Sequence, residues 1–166
     1  MTIEAYQLQF QDYDSAFSAT TQIMGEMIRH YAKHPEIRRA AIYIAGPAPE
    51  RADLQIIDRI FTFVRDGIKY RNDIRDVETL QTPPETLRLQ AGDCDDQVML
   101  LNALIEAVGY HTRFVCISDR PGGHAYTHVY SQVKGPGGEW LGMDPTRRVR
   151  LGMEPADVTR RDKFEY

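Results

Sequence analysis

Cysteine is scarce in this chain, with only Cys94 and Cys116 among 166 residues. Two thiols so far apart make no disulfide framework, and neither belongs to a CxxC or Cys/His group with zinc-site spacing. Long apolar runs are missing, so no segment reads as a bilayer span. The opening Met1-Thr2-Ile3-Glu4-Ala5-Tyr6 lacks the basic and apolar regions of a secretory signal, and a cytoplasmic location is expected. Surplus positive charge is missing as well. Lys and Arg number 20 against 24 Asp and Glu, a formal net charge of -4 that argues against a nucleic-acid binder driven by phosphate attraction. No internal repeat or low-complexity tract is present.

What is there is 42% hydrophobic and 27% charged, ordinary for one globular domain with enough residues for a core. Within a single domain, residues 1–45 read as a helical N-terminal extension, 51–146 as the core and 147–166 as a C-terminal tail. Basic residues gather at Arg147, Arg148 and Arg150 and again at Arg160 and Arg161, and are read as a solvated C-terminal edge.

Tyr6, Leu8 and Phe10 alternate and suggest a strand or an arm. Phe17, Ile23, Met24, Met27, Ile28 and Tyr31 predict an amphipathic helix over 15–33, which Pro35 interrupts before a shorter helix over 36–44. Gly46-Pro47-Ala48-Pro49 marks a loop. Leu54, Ile57, Ile60, Phe61 and Val64 share one face of a helix over 51–66 that Asp66-Gly67 stops. Residues 70–77 read as loop, and one helical turn follows Pro83-Pro84. The next helix is predicted from Asp93 to Val108, with Gly109 after its end. The period then changes. Residues 113–117, 127–133 and 139–143 predict strands, the last two joined by Gly135-Pro136-Gly137-Gly138, and Trp140 is expected in the core. Helices first and an antiparallel sheet after them make an α+β order.

Chemistry concentrates at Gly92-Asp93-Cys94-Asp95-Asp96. Cys94 falls in the first turn of the predicted helix, where free amides and the helix dipole favour a thiolate. The neighbouring aspartates oppose that effect while suiting a helix start, so a histidinium would carry most of the activation. Metal binding by these aspartates is disfavoured, because the glycine and distal glutamate of a calcium loop are missing. His128 opens a strand, whereas His124 follows Pro121-Gly122-Gly123 on a loop. His128 is preferred as base, with His124 the alternative. Asp144 lies sixteen positions beyond His128, enough for a strand, a turn and a returning strand. Pro145 restricts its backbone, and its task would be to orient the imidazole. The Cys94 N–H could donate to an oxyanion, and Gln81, Gln90 and Tyr126 are candidates for a second donor.

Together, Gly92-Asp93-Cys94-Asp95-Asp96, the strand opening at His128 and Trp140-Leu-Gly-Met-Asp144-Pro145-Thr146 resemble the transglutaminase-like superfamily of papain-like thiol enzymes. The small bacterial and phage-encoded members are the nearest likeness, over about Leu54 to Thr146. The resemblance implies an N-terminal helical layer, with the catalytic cysteine at a helix N-terminus packed on an antiparallel sheet. It implies Cys94 as nucleophile, His128 as base and Asp144 as orienting group in acyl transfer through a thioester. Water would resolve the thioester in a peptidase or amidase, an amine in a transglutaminase. The family often has His-Ala-Trp at the base, which His124-Ala125-Tyr126 imitates, but the distance to Asp144 fits His128. A protein or peptide substrate is expected, with no cofactor, no metal and neither nucleic acid nor membrane as partner. The alternative is a weakly active or non-catalytic, phage-related binding or assembly protein that keeps the fold.

Overall fold

The computed structural model describes residues 5–8, 13–49, 52–72, 78–118, 125–156, 158 and 160–166. In chain order the elements are β1 (Ala5–Leu8), α1 (Tyr13–Tyr31), α2 (Pro35–Ala45), α3 (Asp53–Gly67), β2 (Lys69–Tyr70), β3 (Glu78–Gln81) and α4 (Pro83–Leu89). They continue with β4 (Ala91–Gly92), α5 (Cys94–Ala107), β5 (Thr112–Ser118), β6 (His128–Lys134), β7 (Trp140–Met143) and β8 (Arg160–Phe164). The α+β order read from the periodicity is the order observed.

Helix α5 is the centre of the molecule. Its apolar positions Val98, Leu101, Leu104 and Ile105 are fully buried, and so are Met99, Leu100, Asn102 and Ala103 on its other sides. A helix buried on all faces needs covering from several directions, and α1, α2, α3, α4 and β6 all pack against it. Each fully buried leucine contributes roughly 1.5–3 kcal/mol of transfer free energy. The neighbouring helices use the faces their sequences mark: Ile57, Ile60, Phe61 and Val64 of α3 enter the core with Ile37 and Ala41 of α2. Leu54, expected on the same face, lies in the first turn of α3 and is 45% exposed.

The main sheet has the order β7-β6-β5-β8, and its ladders are antiparallel. Residues 147–166 do more than trail from the core. Strand β8 pairs with β5, and Phe164 and Tyr166 stack on Phe114 with ring centroids 5.3 and 5.7 Å away. Trp140 also departs from expectation. It is half-buried, with the Arg113 guanidinium 4.0 Å from its ring centroid, so it closes one end of the sheet by a cation–π contact instead of filling the core.

Two short pairings complete the frame. β1 runs antiparallel to β3, so the alternating Tyr6-Gln7-Leu8 segment is a strand. β2 runs parallel to β4, with Tyr70 opposite Gly92. That pairing takes Tyr70 out of the loop predicted for 70–77, of which 73–77 lie outside the described residues. It also ties the end of α3 to the residue just before Asp93 and Cys94. Four residues carry both links, too few for a periodic signal in the sequence.

Candidate active site

Each residue of the Gly92–Asp96 run has a separate structural task. Asp93 is the N-cap of α5, and its carboxylate accepts from the backbone N–H groups of Asp95 and Asp96 at 3.0 and 3.1 Å. Asp96 closes the capping box by accepting from the Asp93 N–H at 3.3 Å. The buried Asp96 carboxylate also accepts from the backbone and side-chain nitrogens of Gln81 at 2.8 and 2.6 Å, which anchors the helix start to β3. Gly92 is required by this packing. A Cβ there would lie 2.6 Å from the Asp96 Cβ. The box engages the amides of Asp93, Asp95 and Asp96 and leaves that of Cys94, at the first helical position, outside it.

The Cys94 side chain is half-buried against the apolar cluster of Met99, Phe114, Cys116 and Val129. Its thiol lies 3.8 Å from the Asp95 carboxylate, to which it can donate. Burial of the sulfur pushes the thiol well above its ordinary range, and the charges of Asp95 and Asp93 push the same way. Hydrogen bonds from the Val129 and Asp95 N–H groups oppose them. Burial thus favours the neutral thiol, and the sulfur sits against the backbone of the residue next to His128.

His128 and Asp144 meet across the β6–β7 hairpin. The imidazole Nε2 and the Asp144 Oδ2 are 2.8 Å apart. Met143 pairs with Ser131 in the ladder, so Asp144 leaves the strand end beside the start of β6. Asp144 is fully buried, and its second oxygen accepts from the Thr146 N–H and hydroxyl at 3.0 and 2.8 Å. Burial alone pushes its carboxyl up, but the hydrogen bond and charge of His128, with the Thr146 donors, outweigh it and hold the carboxyl below its ordinary value. Arg147 Nε stands 3.3 Å from the same oxygen that faces His128. With Nε2 committed to the carboxylate, Nδ1 is the ring nitrogen left for a substrate or a thiol.

The candidates for a second oxyanion donor are turned elsewhere. Gln81 spends its amide on Asp96. Gln90, in the left-handed conformation (φ 51°) at the C-cap of α4, is exposed. The Tyr126 hydroxyl donates to Asp162, and its ring stacks on Phe17 with centroids 4.2 Å apart. His124 lies outside the described residues. Tyr70 carries no signal in the sequence, yet its half-exposed side chain lies near enough to Cys94 for the thiol to act on its hydroxyl. Burial pushes its hydroxyl up to about 12, with Cys94, Asp93 and Asp95 adding to the shift. Along the chain it is an aromatic residue among polar ones in 69–73, and nothing local ties it to Cys94.

Among the described residues no cluster of three or more His, Cys, Asp or Glu is arranged to hold a metal, and no helix is long and apolar enough to cross a membrane. Cys94 and Cys116 are both free thiols.

A cysteine at the start of a buried helix, set on an antiparallel sheet that carries a His–Asp pair, places this chain in the papain-like class of α+β folds. The family described as the transglutaminase-like superfamily matches residues 40–145, more than half of the sequence, and the chain belongs to that superfamily. Two solved structures share the fold. One is a candidate protease from Parabacteroides distasonis ATCC 8503, 11% identical, with a TM-score of 0.56 over 79% of this chain and 27% of that one. The other is a candidate cysteine protease from Cytophaga hutchinsonii, 17% identical, with a TM-score of 0.51 over 82% of this chain and 48% of that one. The chain thus spans less than half of either protein. No curated protein sequence matches it.

Proposed function

We propose that the protein is a cysteine-dependent acyl-transfer enzyme in which Cys94, His128 and Asp144 act together. The observation that carries this reading is the 2.8 Å His128–Asp144 contact beside a cysteine whose sulfur accepts from the N–H of Val129, the residue next to His128. Because burial favours the neutral thiol, attack and proton transfer are coupled. The sulfur adds to an amide carbonyl while His128 Nδ1 takes the thiol proton, and Asp144 stabilises the imidazolium. His128 then returns the proton to the leaving amine as the C–N bond breaks, which leaves a thioester on Cys94. Water or a second amine, deprotonated by His128, attacks the thioester and releases the acyl group.

The oxyanion of each addition step has two donors available, the Cys94 N–H left outside the capping box and the Tyr70 hydroxyl. Such donors are each worth up to about 10²–10³ in rate where they are fully aligned. Tyr70 thus takes the place expected for Gln81, Gln90 or Tyr126.

The test is thiol labelling followed by turnover. Iodoacetamide should modify Cys94 near neutral pH in the wild-type protein. In His128→Ala, modification should begin only above the ordinary thiol range, because burial and two aspartates then outweigh the Val129 and Asp95 N–H donors with no base to take the proton. Incubation with glutamine peptides, with and without an added amine, should give an acyl adduct on Cys94 that mass spectrometry detects. A binding or assembly protein of the same fold is the second reading, favoured by the upward shift of the thiol. Equal slow labelling of both cysteines with no adduct selects it.

A further inference from the structure

A groove of ≈ 790 Å³ opens beside this site. Tyr70, whose hydroxyl lies near Cys94, lines it together with Pro145 and Thr146, the residues that follow Asp144. The remaining wall is strongly basic. Arg65, Arg147, Arg148 and Arg150 line it, against a single carboxylate, Asp66. The arginines after Asp144, read from the sequence as a solvated edge, are therefore gathered with Arg65 of α3 around one concavity.

The four guanidinium groups are not equally engaged. Arg65 is bound to Asp66 at 2.7 Å and to the Val149 carbonyl at 2.8 Å. Arg147 leans on Asp144. Arg148 and Arg150 are exposed; the Arg148 charge acts on Asp66, but among the described residues neither side chain is held by a hydrogen bond or a close ion pair. In a chain of net charge -4, this groove is a local reversal of sign next to the thiol. Arginine forks match carboxylates, and a field of this sign draws anions while the rest of the surface repels them. The wall also contains Gln97, 1% exposed, whose Nε2 donates to the Gly92 carbonyl at 3.0 Å and whose Oε1 has no partner among the described residues. A peptide N–H satisfies such an acceptor and a phosphate oxygen does not.

We propose that this groove binds acidic peptide segments, with Arg148 and Arg150 holding carboxylate side chains while the adjoining amide is presented to Cys94. The second half rests on the acyl-transfer reading; the first does not. Binding is therefore measured on Cys94→Ala protein, by fluorescence anisotropy of labelled Gly-Glu-Gly-Gln-Gly-Glu and of its counterpart with glutamine in place of both glutamates. The acidic peptide should bind about tenfold more tightly at about 50 mM salt, with the margin collapsing at about 500 mM as screening shortens the reach of the charges. The combined Arg148→Gln, Arg150→Gln variant should lose the margin and keep its affinity for the neutral peptide, and Arg148→Lys, Arg150→Lys should retain part of it. An unchanged melting temperature shows that the variants fold. Equal binding of the two peptides, a margin that survives the glutamine variant, or tighter binding of a labelled single-stranded oligonucleotide each overturns the proposal. Preferential binding without turnover by the wild-type protein would keep the groove and remove the acyl-transfer reading. Turnover of both peptides with no acidic preference would do the reverse.

Discussion

The two thiols belong to one apolar cluster and differ in the polar groups that surround them. Cys116 is inside β5, with Val129 as its cross-strand partner. Cys94 stands at the start of α5 and takes a hydrogen bond from the N–H of that same Val129. Burial is the leading cause that pushes each thiol up, and Asp95 adds to both. What separates them is the supply of donors. Cys94 has two backbone amides, the Tyr70 side chain and a histidine one residue from its hydrogen-bond donor, and no donor opposes the shift at Cys116. Burial makes a thiol inert, and only polar groups placed around it by other elements can reverse that.

The strongest way to break this contrast is to delete each thiol in turn. Cys94→Ala should lower acyl transfer by at least about 10³-fold, the scale seen when a nucleophile is removed. Cys116→Ala should leave turnover within a few-fold and cost about 1 kcal/mol in urea unfolding, as expected for a small buried side chain. A comparable loss of turnover in the two variants would sink the assignment of Cys94.

Asp144→Asn should come next, with a loss of about 10²–10⁴ in kcat/KM and no change in thiol content. It also has a pH signature. The Asp144 carboxyl is held below its ordinary value in the fold, so its contribution to stability is present above the unfolded-chain value near 4 and disappears as pH falls through the lower folded value. Urea midpoints measured from neutral to acid pH should therefore fall more steeply for the wild type than for Asp144→Asn.

Gly92→Ala tests the platform beneath the thiol. The added methyl group meets the Asp96 Cβ at 2.6 Å, and the helix start has to move. A stability loss of about 1–3 kcal/mol is expected, read from the denaturation midpoint. Tyr70→Phe should reduce kcat by about tenfold with little effect on KM, because the hydroxyl acts on the developing oxyanion and not on the bound substrate. A rise in KM alone would reassign Tyr70 to substrate binding. The smallest effect is expected from Asp95→Asn. Removing that negative charge lowers the Cys94 thiol toward its ordinary value, so alkylation in a His128→Ala background should begin at lower pH.

Much of the fold is legible along the chain because it follows from local periodicity. The apolar run after Cys94 predicts α5 to within a residue at either end, and Gly109, at φ 98°, sits where a helix stop needs it. The alternating segment after Thr127 and the Gly-Pro-Gly-Gly turn predict the β6–β7 hairpin, and sixteen positions bring His128 and Asp144 into hydrogen-bond contact. These are short-range facts, and the turn between the strands carries them. The full burial of α5 was less visible, since Asn102 and Ala103 look like solvent-facing positions until several helices close over them.

Tyr70 and the basic groove depend on contacts of another kind. Tyr70 reaches Cys94 because a two-residue parallel pairing aligns it with Gly92, and parallel pairing joins segments that no turn connects. Arg65 joins Arg148 and Arg150 because α3 packs beside the turn that follows β7, through a hydrogen bond spanning 84 positions of sequence. The sequence by itself determined the helix that presents Cys94, the acidic residues at its start and the hairpin that couples His128 to Asp144, all through local rules of period and spacing. Only the tertiary structure decided which donors surround the sulfur and what charge the neighbouring groove carries, because those depend on which distant segments share a surface.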